Sequence, residues 1–462
     1  MIKKLKYKKS ILLISIIIIS GYFLISLSIG NGSFYNLKSL INYQQKELIK
    51  KYIFPYNKIS EQEQMISQQN EKIESIDWSV IELQKKNEGS EIITEENILK
   101  LSNNKTLKKY KLTSGFYSGI NNIIPGSGYI DFYKGNIIVL SSRGVLAYKK
   151  NIEDIEQNFQ QIKNNINDYI GIKQFKKSHR FSIKDLLILN GNIYISFTEE
   201  IKTDCWNTSV IYGDINYQNI KFRKLFSPEK CVHSKDNIDK EFEVYQSGGK
   251  IISFNDNHIL LSIGDYRSRH LAQDIKSVNG KIIKVNIDNG EYEIISMGHR
   301  NPQGLYFDKE NNFILETEHG PQGGDEINLI EVNQISEDEI QNYGWAISSA
   351  GKHYGGKSEK NKKKYEKYPL YKSHIEHGFI EPLKSFVPSI GISEIVKIRP
   401  NRFVVSSMKD KSLYFFELNK EREIINLDRV EVFERVRDLR FNNNKLFLFM
   451  EDTASIGVIN LK

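Results

Sequence analysis

Beyond residue 115 the chain alternates short apolar runs with turns rich in glycine, asparagine and aspartate. The runs are dominated by Ile, Val, Leu, Phe and Tyr and cover residues 135–142, 186–197, 250–264, 281–295, 305–316, 395–407, 412–418 and 445–451. Asn, Asp and Gly residues at 255–257, 288–290 and 442–444 separate paired runs, as hairpin loops do. The pattern predicts an all-β domain built from antiparallel hairpins.

Regular antiparallel repetition of this kind is typical of a β-propeller, in which each four-stranded blade covers its edges against its neighbours. At roughly 55 to 60 residues per blade, a domain over residues 111–462 would contain about six blades. A β-sandwich or a barrel is also compatible with the pattern alone.

The N-terminus has a different pattern. Five lysines among the first nine residues precede an almost wholly apolar run over residues 11–30. At about 1.5 Å per residue, a helix of this length crosses a hydrocarbon core about 30 Å thick. Because flanking lysines stay in the cytoplasm, we expect a single-pass inner-membrane anchor over residues 1–30 and a periplasm-facing C-terminal domain. A cleaved signal peptide is the alternative, although the run is long for one and lacks an Ala-x-Ala site.

Residues 31–110 are rich in Gln, Glu, Lys, Asn and Ile and contain few glycines. Helical spacing of apolar residues over 40–52 and 60–73 is interrupted by Pro55, which lacks a backbone N–H and breaks or kinks a helix. We therefore predict a polar, partly helical stem at 31–110 that connects the anchor to the propeller domain at 111–462.

The composition of the 462-residue chain, with 39% hydrophobic residues and a formal net charge of +8, allows one large exported β domain. The positive charge does not indicate nucleic-acid binding, because the lysines are scattered or lie in the anchor flank and in the segment 357–367. Cys205 and Cys231 are the two cysteines. In an oxidising compartment we expect them to form a disulfide; two unpaired buried thiols are the alternative.

Two dense polar motifs flank one predicted strand. Gly-His-Arg-Asn-Pro-Gln-Gly begins at Gly298, and Glu-His-Gly-Pro-Gln-Gly-Gly-Asp-Glu ends at Glu326. Their glycines allow the backbone to approach a ligand closely, and their charged side chains supply polar groups. Either motif alone is equally compatible with well-capped turns.

In this order, the two motifs resemble those of the glucose/sorbosone dehydrogenase family. Further matching segments are Asn-Tyr-Gly-Trp at 342–345, Val-Pro-Ser-Ile at 387–390, Met-Lys at 408–409 and Glu-Arg-Val-Arg-Asp at 434–438. The resemblance covers about three quarters of the chain, from roughly residue 115 to the end. It implies a six-bladed propeller that oxidises an aldose or related alcohol with pyrroloquinoline quinone (PQQ) and Ca²⁺, and that passes electrons to an unknown acceptor.

The resemblance also assigns residues to the cofactor. Arg435 and Arg437 match the family's Arg-x-Arg-Asp motif, and at alternate positions of a strand they project to one side, where they can pair with PQQ carboxylates. Lys409 matches the cofactor lysine, with Lys411 as a rival. Without the resemblance, the arginines would read as surface ion pairs with Glu434 or other nearby acidic residues.

Arg300 and Asn301 match the family's Arg-Asn step beside the quinone carbonyls, where they would orient the quinone and stabilise charge as it is reduced. Gly320 and Pro321 would contribute backbone carbonyl oxygens, which are hard donors suited to Ca²⁺.

One departure concerns the catalytic base. Family members generally place a catalytic histidine before a Gln-Ser-Gly step, whereas this chain has Tyr245 there, or Gln246 if the register slides by one residue. Tyrosine titrates near pH 10 and histidine near 6.5, so a tyrosine base costs on the order of 5 kcal/mol at neutral pH unless its pKa is lowered. Two hypotheses follow: an enzyme with altered acid–base chemistry, or a non-catalytic binding propeller. A surface module that assembles through the stem is a third.

Overall fold

The computed structural model describes residues 91–102, 105–112, 126–335 and 339–461, together with residues 21 and 65–67. The chain divides into two compact units, Met1–Ile73 and Glu74–Lys462. All of the described strands lie in the second unit, where they form six blade-like sheets and one further two-stranded sheet.

Among the described residues, three strands precede residue 113, and blades 1 and 2 follow them along the chain. The strands before residue 113 are β1 (Glu91–Ile92), β2 (Thr94–Lys100) and β3 (Thr106–Leu112). Blade 1 contains β4 (Gly128–Tyr133), β5 (Asn136–Ser141), β6 (Leu146–Lys149) and β7 (Phe159–Gln161), with β1 paired to β7. Strand β8 (Lys163–Asn164) and helix α1 (Ile172–Lys177) follow. Blade 2 contains β9 (Ile183–Leu189), β10 (Asn192–Lys202), β11 (Cys205–Asp214), β13 (Arg223–Phe226) and β14 (Val232–His233), with β14 paired to β11. Between β11 and β13, strand β12 (Asn219–Ile220) pairs in parallel with β8 in a separate two-stranded sheet.

The remaining blades follow in order. Blade 3 contains β15 (Gly248–Asn255), β16 (His258–Ile263), β17 (Lys281–Asn286) and β18 (Tyr292–Met297). Blade 4 contains β19 (Pro302–Asp308), β20 (Phe313–Glu318) and β21 (Asp325–Glu331). Next along the chain are β22 (Gln341–Asn342), which joins blade 3, and helix α2 (Lys362–Lys367). Strand β23 (Lys384–Phe386) then completes blade 4. Blade 5 contains β24 (Ile392–Arg399), β25 (Arg402–Ser407), β26 (Ser412–Leu418) and β27 (Ile424–Glu431). Blade 6 contains β28 (Val436–Asn442), β29 (Lys445–Met450) and β30 (Ser455–Asn460), with β3 and then β2 on its outer side. Short 3₁₀ turns occur at Ile166–Asp168, Val244–Gln246, Arg269–Gln273, Val332–Gln334, Glu359–Asn361 and Ile375–His377.

The innermost strands close a ring. Strands β4, β9, β15, β19, β24 and β28 contact one another in that order, and β28 contacts β4. Because blade 6 combines the last strands of the chain with β2 and β3, N-terminal and C-terminal segments are paired in one sheet. The prediction of an all-β six-bladed propeller is confirmed.

Apolar clusters fill the spaces between neighbouring blades. On β5, Ile138 belongs to the same cluster as Ile193 of blade 2, whereas the adjacent Ile137 belongs to the same cluster as Phe449 of blade 6. Successive side chains of a strand point to opposite faces, so a strand covered on both sides is apolar at consecutive positions. This explains the continuous apolar runs in the sequence.

The propeller begins before the predicted boundary at residue 111. Strands β1, β2 and most of β3 lie in the segment predicted as a helical stem, 31–110, but pair with blades 1 and 6. Strand β2 is an outer edge strand with mostly exposed residues, Thr-Glu-Glu-Asn-Ile-Leu-Lys. An edge strand needs few apolar residues, so its polar composition gave no β signal.

The predicted anchor over residues 1–30 lies outside the described residues, apart from Gly21. Among the residues that the structure describes, no helix combines the length and apolar character needed to cross a membrane.

A disulfide joins Cys205, at the start of β11, to Cys231, with a Cα–Cα distance of 5.4 Å. The predicted pairing is therefore present. Replacing both cysteines by serine is expected to lower the free energy of unfolding by about 3 kcal/mol, because the closed loop restricts the unfolded chain. Urea denaturation of the wild type and the double variant measures this difference. Equal stabilities, or free thiols in the non-reduced wild type by mass spectrometry, would contradict the prediction.

Candidate functional site

All nine residues singled out from the sequence line one cavity of about 550 Å³, called the site cavity below. They are Tyr245, Gln246, Arg300, Asn301, Gly320, Pro321, Lys409, Arg435 and Arg437. Most lie at the starts of inner strands: Tyr245 and Gln246 precede β15, Arg300 and Asn301 precede β19, and Arg437 lies in β28. The starts of the inner strands meet at one face of the ring, which is why residues distant in sequence converge there.

A buried carboxylate orients the arginine pair. Glu451 accepts hydrogen bonds from Arg435 Nε at 3.1 Å, Arg437 Nε at 2.6 Å and Ser127 Oγ at 2.7 Å. Burial by itself would raise the pKa of Glu451, but Arg437 and Arg435 outweigh it and hold the pKa below its usual value. Both guanidinium groups keep part of their surface exposed to the cavity.

The alternative of simple surface pairing does not match these contacts. Glu434 pairs with Lys109, rather than with either arginine. The rival lysine is also accounted for, since Lys411 Nζ lies 2.7 Å from Asp452 Oδ2 whereas Lys409 lines the cavity.

Arg300 and Asn301 are held through both their backbone and their side chains. Glu318 Oε2 accepts from Arg300 N at 2.6 Å and from Asn301 N at 3.3 Å. Arg300 Nη1 donates to the carbonyl of His319 at 2.7 Å, and burial lowers the pKa of Arg300. Asn301 Oδ1 accepts from Gly248 N at 3.1 Å, which ties the start of β19 to the start of β15.

Gln246 connects the arginines to an acidic residue. With its amide oriented to satisfy its neighbours, it donates to Asp265 Oδ1 at 2.9 Å and accepts from Arg300 Nη2 at 2.8 Å and Arg267 Nε at 3.2 Å. An amide is not a base at neutral pH, so this contact set indicates that Gln246 positions Arg300.

The Gly320–Pro321 loop is tightly built. A Cβ on Gly320 would lie 1.6 Å from the Gly324 carbonyl oxygen, so no larger residue fits. Asp325 Oδ2 braces the loop by accepting from Gly391 N at 2.7 Å and Ile392 N at 3.0 Å. Within the described residues, neither the Gly320 nor the Pro321 carbonyl accepts a hydrogen bond, which leaves both oxygens for another ligand.

Tyr245 stands at the edge of the site cavity, with 44% of its surface exposed. Its hydroxyl lies 3.3 Å from His179 Nε2, and the guanidinium carbon of Arg180 lies 4.8 Å from its ring centroid. Burial in the cavity wall raises the pKa of Tyr245, with Arg180 opposing that effect. The neighbouring cation is thus Arg180, and it does not bring the phenol into the neutral range.

A smaller cavity of about 70 Å³ shares Tyr245, Gln303 and Arg437 with the site cavity. Residues from all six inner strands line it, so it lies on the axis of the propeller and is called the axial cavity below. Here Lys250 Nζ lies 2.9 Å from Asp185 Oδ2 and 3.6 Å from Asp438 Oδ1, and it also pairs with Glu394.

Sequence reasoning missed several residues of the site. Two of them, Glu451 and Arg267, line the site cavity. The other two, His179 and Arg180, line the axial cavity. Glu451 follows an apolar strand without any motif, and His179 lies 66 residues before its partner Tyr245. No local pattern identifies such residues, because only the packing of different blades brings them to the site.

Comparison with known proteins identifies the family. A family model described as glucose/sorbosone dehydrogenase matches residues 188–459, more than half of the chain. The chain belongs to the glucose/sorbosone dehydrogenase family. The match spans blades 2 to 6 and includes all nine of the predicted residues.

Individual relatives agree with this membership. The aldose sugar dehydrogenase YliI of Escherichia coli (strain K12) is 26% identical over 291 residues, which cover 57% of this chain and 71% of the relative. The quinoprotein glucose dehydrogenase B of Acinetobacter calcoaceticus is 28% identical over 202 residues, 34% of this chain and 40% of the relative.

Two solved structures of aldose sugar dehydrogenases share the fold. The soluble aldose sugar dehydrogenase of Escherichia coli in its apo form has a TM-score of 0.57 and 17% identity, covering 77% of this chain and all of that one (100%). The PQQ-bound aldose sugar dehydrogenase of Streptomyces coelicolor has a TM-score of 0.54 and 16% identity, covering 74% of this chain and 94% of that one.

Proposed function

We propose that this protein is a PQQ- and Ca²⁺-dependent dehydrogenase of an aldose or related alcohol, anchored in the inner membrane with its propeller in the periplasm. The observation that carries the catalytic part is the convergence of all nine predicted residues on one cavity. Family membership supports oxidation of a sugar, and the PQQ-bound relative supports the choice of cofactor.

The charges of the site cavity fit a cofactor with several carboxylates. Five cationic side chains and three carboxylates line the cavity: Arg267, Arg300, Lys409, Arg435 and Arg437, against Glu243, Asp325 and Glu451. Glu451 is already shared by Arg435 and Arg437, so the excess positive charge remains for a bound anion. Within the part of the chain that the structure describes, the Gly320 and Pro321 carbonyl oxygens accept no hydrogen bond, and they would provide part of a Ca²⁺ ligand set that the cofactor and water complete.

Bound PQQ supplies a two-electron hydride acceptor. The protein's contribution is to hold it and to manage the proton. Arg435, Arg437 and Lys409 would bind carboxylates, whereas Arg300, positioned by Gln246, would stabilise negative charge on the reduced ring. Tyr245 is the ionisable residue at the family's catalytic position, and it would accept the proton of the substrate hydroxyl.

A non-catalytic binding propeller is the second candidate. The observation that favours it is Tyr245 itself, whose pKa is raised by burial and which is therefore a weak base at neutral pH. Such a protein would bind PQQ, or a related anion, without turnover.

Membrane attachment rests on the lysine-flanked apolar run over residues 11–30. Fractionation of cells that produce the full chain, with protease treatment of spheroplasts, tests it. An anchored periplasmic domain is recovered with membranes and becomes protease-accessible, whereas recovery in the soluble fraction would contradict the anchor.

Titration of the full-length, detergent-solubilised protein with PQQ, with and without Ca²⁺, tests cofactor binding separately from turnover. A dye-linked assay across a panel of aldoses and polyols then tests oxidation. We expect Ca²⁺-dependent PQQ binding followed by dye reduction with at least one sugar. Binding without dye reduction would favour the binding propeller, and no binding would contradict both functions.

A further inference from the structure

We propose that the Tyr245 hydroxyl and the His179 imidazole form a two-residue proton relay, which takes the place of the single catalytic histidine of the family. The proposal rests on the proposed sugar oxidation, and it assigns to that site a residue, His179, that no sequence motif indicates. His179 does not line the site cavity and acts only through Tyr245, which makes it a positioning residue. In the relay it is also the final proton acceptor.

The contact itself is well placed for proton transfer. The oxygen of Tyr245 lies 3.3 Å from Nε2 of His179. Tyr245 lines both cavities, whereas His179 lines only the axial cavity. A proton that enters through Tyr245 at the site cavity would therefore leave through His179, on the side away from the substrate.

Both partners are held by buried or multiply bonded groups. Arg143, which is fully buried, donates to the carbonyls of His179 at 2.7 Å and Phe181 at 2.6 Å and so fixes the loop that carries the imidazole. Glu243 accepts from Tyr245 N at 3.3 Å and from Arg180 Nη1 at 2.8 Å. Arg180 in turn lies over the tyrosine ring, where its positive charge stabilises developing negative charge on the phenol oxygen.

The relay moves two protons while the substrate is oxidised. With PQQ bound, the electron pair of the substrate's C–H bond would pass to it as hydride while the substrate's C=O bond forms. The substrate O–H proton bonds to Tyr245 Oη, and the original Tyr245 proton bonds to His179 Nε2. Tyr245 thus remains a neutral phenol, and the relay avoids the cost of a free phenolate near neutral pH.

Other charged groups face the pair and must be distinguished from it. They are Arg180, Glu243, Arg437 and Glu451 around Tyr245, with Lys184 and Asp185 in the axial cavity. Lys184 is the main competitor as proton acceptor, because burial lowers its pKa to about 7.

The first experiment needs no turnover. ¹⁵N NMR of histidine-labelled, cofactor-free protein, with the His179 signals assigned from His179→Gln, reports which ring nitrogen carries the proton at neutral pH. The relay requires Nε2 to be unprotonated and to accept from the phenol, and Tyr245→Phe to perturb the Nε2 signal. A protonated Nε2, or a signal unaffected by Tyr245→Phe, would overturn the relay.

The second experiment uses the PQQ-loaded enzyme. Wild-type kcat should level off near neutrality, since an imidazole ordinarily titrates near pH 6.5. His179→Gln should reduce kcat at neutral pH by on the order of 100-fold with KM little changed, and shift the rise of kcat toward the alkaline range of a phenol. Added imidazole should restore activity to His179→Gly in proportion to its free-base fraction.

Matched variants separate the possible outcomes. His258→Gln, on a hairpin outside both cavities, should leave kcat unchanged, and Lys184→Met should keep the plateau near neutrality. Loss of the plateau in Lys184→Met, or a wild-type pH profile in His179→Gln, would overturn the relay while leaving sugar oxidation intact. Absence of turnover by the wild type would instead count against the proposed function, and the NMR result would still decide the relay.

Discussion

Replacing both Arg435 and Arg437 by glutamine is expected to weaken PQQ binding by roughly three orders of magnitude. Each guanidinium would form charge-assisted hydrogen bonds with a cofactor carboxylate, and the loss of about 2 kcal/mol per arginine corresponds to roughly 30-fold in affinity. Fluorescence or calorimetric titration of wild type and variant with PQQ measures the change.

This double variant also leaves the buried Glu451 without its two cationic partners, while the hydrogen bond from Ser127 remains. A triple variant with Glu451→Gln removes that charge, and it separates loss of the anion site from loss of stability. We expect the triple variant to regain thermal stability but not PQQ affinity. Wild-type affinity in the triple variant would exclude the two arginines from the cofactor site.

Lys250→Met is expected to destabilise the propeller by about 3 to 5 kcal/mol, because breaking a buried ion pair leaves uncompensated charge. Lys250 is almost fully buried and faces Asp185, Glu394 and Asp438, which come from three other inner strands. Among the described cations, Arg440 would still lie beside these carboxylates in the variant. Its Nη1 lies 2.8 Å from Asp438 Oδ1, and its Nη2 lies 3.6 Å from Asp185 Oδ1. Urea denaturation gives the free energy of unfolding, and Lys420→Met, at an exposed position, serves as the control.

The deficit of Lys250→Met should depend on pH. Burial raises the pKa of Glu394 to about 8, so its protonated form is favoured in the folded protein. A carboxyl with a raised folded-state pKa contributes stability below its unfolded pKa and loses that contribution as the pH rises through the folded value. Lys250 lowers the pKa of Glu394, so its removal raises that pKa further and makes the ionised carboxylate more costly. The deficit should therefore be smaller at about pH 5 than at about pH 9, and Glu394→Gln should partly rescue Lys250→Met. A pH-independent deficit would show that lost packing, rather than charge, causes it.

The stem boundary shows where sequence patterning fails. Strand β2 is polar because it forms the outer edge of blade 6, and its partner β3 pairs with β30 near the other end of the chain. Nothing in the local sequence of residues 94–112 indicates a partner more than 300 residues away. The pairing depends on closure of the ring, which brings β3 next to β30.

The sequence by itself determined the features that depend on residues close together along the chain. Consecutive apolar positions with Asn-, Asp- and Gly-rich turns specify strands and hairpins, because side-chain alternation and turn geometry act over a few residues. The motifs from Gly298 to Glu326 and at 434–438 specify the chemistry of the site for a similar reason: each is contiguous.

Only the tertiary structure decided which groups act together. Glu451 orients Arg435 and Arg437, His179 meets Tyr245, and Lys250 draws together carboxylates from three other blades. These contacts depend on how neighbouring blades pack around a common axis, and that packing sums many weak apolar contacts distributed over the whole ring. The sequence therefore determines the type of blade and the residues available at its edge, whereas closure of six blades determines which of those residues share a cavity.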